Sequence, residues 1–155
     1  MAMRQKQSIL ATFINHPELI EEFGEALGYL DFGDPFLDKL RLDILEITST
    51  MVGVDVNDLQ DHLLGRGYNN SFGGVINSSV LGHAAFARQD APVTFAKSGV
   101  RELLARIGKY QLEEQLSAAQ RVVMEDFSEV NWNRLASLRA ALVAVNNGTI
   151  LEDGF

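Results

Sequence analysis

Apolar residues recur at steps of three and four along nearly the whole chain, and nowhere do they alternate with polar ones over the length of a strand. This pattern constrains the fold more than any other feature. A three-to-four step gathers apolar side chains on one side of an α-helix, whereas a half-buried strand needs a period of two. The sequence therefore reads as all-α: a compact multi-helix bundle followed by a long antiparallel helical hairpin.

Proline, glycine and short polar residues place the breaks. Ile9, Leu10, Phe13 and Ile14 predict a first helix ending near Asn15. His16-Pro17 stops it, because proline disfavours helix in the residue before it and suits the first turn of the next. A short second helix carries Leu19, Ile20 and Phe23, and Gly24 and Gly28 weaken its continuation. Asp34-Pro35 is a strong start signal for a helix bearing Phe36, Leu37, Leu40, Ile44, Ile47 and Met51. Gly53 breaks it. Asn57 or Asp58 caps a short helix with Leu59, Leu63 and Leu64, closed by Gly65-Arg66-Gly67. Tyr68 to Ser71 reads as a turn. Phe72, Val75 and Ile76 predict one helical turn, and Ser78 or Ser79 starts a helix with Val80, Leu81, Ala84, Ala85 and Phe86.

Beyond Pro92 the apolar positions thin into stripes. Val100, Leu103, Leu104 and Ile107 form one. Leu112, Leu116, Ala119 and Val123 form another, with the alternating step of a helix–helix seam. One long helix over 93–126 is expected. Ser128 caps a last helix, with Phe127 just before the cap and Trp132 at its fourth position, the spacing of a hydrophobic staple. Leu135, Leu138, Leu142 and Val145 supply the matching seam, and a short turn makes the pair antiparallel. The expected organisation is a bundle over 1–90, a hairpin over 91–147 and a flexible tail over 148–155. Met3 close behind Met1 reads as an added start, which would make the chain a piece of a longer protein.

Composition removes several functions. With 155 residues the chain is long enough to bury a core without disulfides or metals. It has no cysteine, which excludes thiolate metal sites, iron–sulfur clusters and thiol catalysis. Its net charge of −8 argues against a dedicated nucleic-acid grip, which needs clustered Lys and Arg. That charge is uneven: residues 1–97 hold 7 basic and 13 acidic residues, and residues 98–147 hold 6 of each. No apolar run reaches the roughly 18 residues of a spanning helix, and the N-terminus lacks the apolar centre of a secretory signal. A cytoplasmic location is expected.

Catalytic and metal-binding patterns are missing. There is no phosphate loop, nucleophile elbow or His-Glu-x-x-His pair. His16, His62 and His83 are far apart and read as caps, surface groups or satisfied partners. Asp55-x-Asn57-x-x-x-Asp61 suggests a calcium loop, but the later places hold Leu59, Gln60 and Arg66 where an oxygen ligand, glycine and glutamate belong. A helix-capping turn accounts for it better. Glu21, Glu22 and Glu25 read as a solvated helix face. No catalytic, metal or cofactor residue is expected.

The last helix is different. Its seam uses one side, yet Trp132, Ala136, Arg139 and Val143 cluster on a neighbouring face at about 100° per residue. Trp and Arg are enriched in interface hot spots. The candidate partner-binding residues are Trp132, Arg134, Arg139 and Val143.

Three stretches then resemble the C-terminal helicase-binding domain of bacterial DNA primase (DnaG type). Ser8-Ile-Leu-Ala-Thr-Phe-Ile-Asn-His-Pro-Glu-Leu19 is similar to that domain's first helix and its His-Pro-Glu-Leu break. Phe36-Leu-Asp-Lys-Leu-Arg-Leu-Asp-Ile-Leu45 resembles the following helix. Val100 to Leu142, with Leu112-Glu-Glu-Gln-Leu116, Glu125-Asp126 and Trp132-Asn-Arg-Leu135, resembles its terminal hairpin. The chain departs from the pattern at Gly99-Val100, where related sequences often have an aromatic, and 65–78 matches nothing. The resemblance implies a non-catalytic domain, without cofactor, that docks primase onto the N-terminal domains of the hexameric replicative helicase (DnaB type). It implies the acidic tail of the single-stranded-DNA-binding protein as a further partner, and polymerase chemistry only in the parent primase. Two other readings stay open. One is a homo-oligomeric helical module. The other is a small helical enzyme using His62 or His83 with a nearby carboxylate.

Overall fold

In the computed structural model, which describes residues 2–147, seven α-helices and two 3-10 turns follow one another, and no strand occurs among the described residues. The chain forms two compact units that divide between Leu104 and Ala105. The division lies about three turns inside a helix that begins at Val93, and so falls later in the chain than the boundary expected at residue 91. The expected tail, 148–155, lies outside the described residues.

In the first unit, α1 (Met3–Asn15) is the central element: every residue from Ser8 to Asn15 is buried. It packs against α3 (Pro35–Thr50), α4 (Val56–Gly65) and α5 (Ser78–His83), so its whole circumference is covered along that stretch. Its polar residues are satisfied locally. Ser8 and Thr12 donate to the carbonyls of Arg4 and Ser8, both at 2.7 Å. No buried side-chain nitrogen or oxygen lacks a partner among the described residues. Asn15 donates to the Ala87 carbonyl at 2.9 Å. His16 Nε2 lies 2.7 Å from the Arg88 carbonyl, an acceptor only, so that nitrogen carries the proton. The His16-Pro17 break thus also fastens the end of α1 to the 3-10 turn Ala85–Ala87.

After the 3-10 turn Pro17–Leu19, α2 (Ile20–Gly28) ends on a buried arginine of α3. Arg41 is 7% exposed and donates to the carbonyls of Leu27 and Gly28 at 3.3 and 3.1 Å. Its Nε reaches Asp38 at 3.3 Å. Leu27 also accepts from the Leu30 N–H at 3.3 Å, and Arg41 adds the side-chain donors that complete the C-terminus of α2. α3 starts as expected, with Asp34 accepting from the Leu37 N–H at 2.9 Å.

One other cap differs from expectation. α4 is capped by Asp55, which accepts from Asp58 N–H at 2.8 Å, and not by Asn57 or Asp58. α5 starts at Ser78 as expected, behind Asn77, which accepts from the Val80 N–H at 2.8 Å, but it ends at His83, so Ala85 and Phe86 fall in the following 3-10 turn and Ala84 between the two. At Asp55 and at Asn77 a side chain of the right reach stands where the backbone is still extended.

The helical turn expected at Phe72 to Ile76 does not form. Phe72, Gly73 and Gly74 have φ of 52, 73 and 86°, the left-handed region. Asn69 holds this stretch by accepting from the Gly73 N–H and the Ser71 hydroxyl at 2.9 and 3.1 Å. Phe72 is a bulky residue in a strained conformation, about 1–3 kcal/mol, and its near-complete burial offsets that cost. Gly73 also lies under the Phe36 ring, whose tip would sit 2.2 Å from an added Cβ. That tip belongs to a half-exposed side chain and can move aside, so backbone strain dominates: Gly73→Ala is expected to cost about 1–2 kcal/mol in urea unfolding.

The first three turns of α6 (Val93–Glu125) complete this unit, with Ala96, Val100, Leu103 and Leu104 buried. Phe86 lies directly on Gly99 and meets Phe95 edge-on at 6.2 Å. Glu22 accepts from Lys97 at 2.8 Å and Arg101 at 3.1 Å. It is therefore more than the solvated acid expected of α2, although exposed pairs of this kind contribute little stability.

In the second unit, α6 from Ala105 and α7 (Glu129–Asn146) form the hairpin. Ala119, Leu135 and Val145 are buried, and Leu112, Leu116, Val123, Leu138 and Leu142 half-buried, which are the seam positions of both helices. Ser128 accepts from the Asn131 N–H at 3.2 Å, and Asn131 donates back to the Asp126 carbonyl at 2.8 Å. The rings of Phe127 and Trp132 meet at 5.9 Å, so the expected staple is present.

Candidate partner-binding face

α7 puts Trp132, Arg139 and Val143 on one side. At 100° per residue they fall within about 40° of one another, and Ala136 and Ala140 lie beside them. All five are exposed; Trp132 is 45% and Val143 58% accessible. The helix cannot bury this side because the seam, about a quarter turn away, already occupies its contact with α6. Arg134 is exposed but stands about 160° round the helix from Trp132, on the other flank of the seam. The structure therefore brings together three of the four residues expected at the site and leaves Arg134 apart.

The tip of the hairpin adds apolar surface. Met124, Phe127 and Val130 are 87, 75 and 77% exposed around the turn. Sequence reasoning took Phe127 only as a staple and passed over the other two. The available signal was that Met124 and Val130 fall between seam positions at a turn, where no neighbouring helix can cover them. Apolar residues grouped in this way mark interaction surfaces more than single ones do.

The exposed His62 lies with Nδ1 2.8 Å from the Asp58 carbonyl, one turn back on its own helix. A hollow of about 290 Å³ in the first unit is lined by Phe36, Lys39, Arg66, Gly67, Tyr68, Asn69 and Gly73. Another of about 440 Å³ lies along Glu113, Glu114, Ser117, Ala118 and Arg121. Neither contains a histidine. No group of three His, Asp or Glu side chains able to hold a metal ion occurs among the described residues. No described helix is long and apolar enough to cross a membrane.

The first hollow is backed by a network of charges. Asp43 accepts from the Tyr68 hydroxyl at 2.6 Å, from Lys39 at 2.9 Å and from Arg66 at 2.8 Å. Partial burial pushes its carboxyl up, but these three donors outweigh burial and hold it below its ordinary 3.8. Burial, with the Asp43 carboxylate beside it, pushes the Tyr68 phenol up. Because Asp43 is depressed in the folded state, the network adds stability above pH 3.8 and loses it as pH falls through the lower folded value. Asp43→Asn is expected to flatten the acid limb of stability measured by urea unfolding between pH 5 and 2. An unchanged limb would place the acid sensitivity elsewhere.

No protein family, curated protein or solved structure matches this chain.

Proposed function

We propose that the chain is a non-catalytic docking domain, the helicase-binding domain of a DNA primase, which brings primase to the N-terminal domains of a hexameric replicative helicase. The observation that carries this reading is the exposed Trp132–Arg139–Val143 face on a hairpin whose other side is spent on its own seam. Tryptophan and arginine are among the residue types that dominate interface energies. The order of the His16-Pro17 break, the Asp34-Pro35 helix and the terminal hairpin adds the resemblance. Docking would raise the local concentration of primase at the fork, with primer synthesis carried out by other domains of the parent protein. The cytoplasmic location, and an acidic tail of the single-stranded-DNA-binding protein as second partner, belong to the same proposal.

Calorimetry of the purified chain against the hexameric helicase tests it. A saturable complex at about tens of micromolar or below is expected, and Trp132→Ala should weaken it about tenfold with helicity unchanged. Absence of a complex at those concentrations overturns the reading. The exposed tip residues favour self-association as a second reading. A concentration-independent monomer mass by light scattering removes that one.

A further inference from the structure

Beyond its first residue, α7 carries charge of one sign. From Val130 to Asn147 it holds Arg134 and Arg139 and no carboxylate. The carboxylates of residues 105–147 lie on α6, in the turn and at Glu129. Neither arginine of α7 has an ion-pair partner among the described residues. Arg139 stands amid Trp132, Ala136, Ala140 and Val143. Only methyl groups cover the backbone at Ala136 and Ala140, so the face is low there and raised at Trp132 and Val143. The result is a shallow trough that crosses the helix axis between those two side chains, which lie about 16 Å apart along it.

This shape and charge specify an occupant. A low strip between two large side chains suits a second helix laid across α7, whose approach is set by the side chains at the contact, about 8–10 Å between axes. Covering the trough takes Arg139 out of water, and a desolvated guanidinium without an acceptor is strongly unfavourable. α7 offers no carboxylate to meet it, so the partner must. A carboxylate matches the planar guanidinium with two parallel hydrogen bonds. We infer that this face takes an α-helix of the partner, packed over Ala136 and Ala140 between Trp132 and Val143, with a carboxylate of that helix on Arg139. The inference rests on the docking reading and adds the partner's secondary structure and charge. Arg134, on the far flank, takes no part.

The test is calorimetric titration of the hexameric replicative helicase into the full chain at low and high salt, with four variants of exposed residues whose helicity is checked by circular dichroism. Arg139→Gln is expected to weaken binding at least tenfold and to reduce its salt dependence. Arg139→Lys should recover only part, because an ammonium cannot form the paired contact. Ala140→Trp should abolish binding by filling the trough, and Arg134→Gln should change it less than threefold. If the wild type binds and both Arg139→Gln and Ala140→Trp bind equally well, this inference is overturned and the docking reading stands. If Arg139→Gln weakens binding but Ala140→Trp does not, the close helix contact is overturned. If the wild type forms no complex, both fall.

Discussion

Arg41→Met is expected to destabilise the protein by about 2–4 kcal/mol in urea unfolding. Methionine keeps most of the aliphatic stem, so the change isolates the guanidinium. That group donates to the carbonyls of Leu27 and Gly28 and to the Asp38 carboxylate, and it is almost fully buried. Its removal takes the side-chain donor from the Gly28 carbonyl, leaves the Leu27 carbonyl only the Leu30 N–H at 3.3 Å, and leaves Asp38 without its cation. Hydrogen bonds to charged groups contribute about 1.5–3 kcal/mol, and a buried acceptor left unsatisfied loses its full desolvation energy. Arg41→Lys should recover only a fraction, because one ammonium cannot serve three acceptors that a planar fork spans. A loss below about 0.5 kcal/mol would mean that water replaces the guanidinium and that the cap is incidental.

The second large effect comes from comparing two glycines on one helix. Gly99 lies under Phe86: an added Cβ would come within 2.2 Å of Phe86 Cγ and 2.5 Å of both Cδ atoms. These atoms lie at the root of the ring and cannot swing away as a side-chain tip can, so the ring or α6 must shift. Gly99→Leu is expected to cost about 3 kcal/mol, the upper part of the usual overpacking range. Gly108 has nothing within 4 Å of an added Cβ. Gly108→Ala is therefore expected to stabilise by about 0.4–1 kcal/mol, through helix propensity and a less free unfolded chain. The same residue type on α6 should give opposite signs. Equal signs would show that propensity, and not the Phe86 contact, governs both positions.

This contact also gives Gly99 a role: an aromatic from outside the helix, Phe86, lies on it. A glycine in a helix reads as a weakness in sequence and becomes a seat for a ring once the fold brings residue 86 to it. Arg41 was legible in part. It follows Leu40 and precedes Ile44 on the buried stripe of α3, an odd place for a charge. Its acceptors, 13 and 14 residues earlier, could not be read from that spacing. The left-handed run at 72–74 was not legible either. Phe72, Val75 and Ile76 have helical spacing, and a phenylalanine rarely adopts positive φ unless burial compensates.

For the candidate site, helical periodicity alone placed Trp132, Arg139 and Val143 together, because α7 is regular and 100° per residue needs no tertiary information. The same arithmetic separates Arg134 from them. The exposure of Met124 and Val130 depended on where the turn fell.

Sequence by itself determined the helices, their principal stops, the Asp34 and Ser128 caps and the two seams. These arise from interactions within a few residues: staggered apolar positions, a side chain within reach of an N–H, a ring with a fixed torsion. Only the tertiary structure decided how α2 is finished, which ring fills the space over Gly99, how a left-handed Phe72 is tolerated and which apolar residues stay in water. Each of those depends on groups distant in sequence meeting in space, and the energy that decides them appears only when both are present.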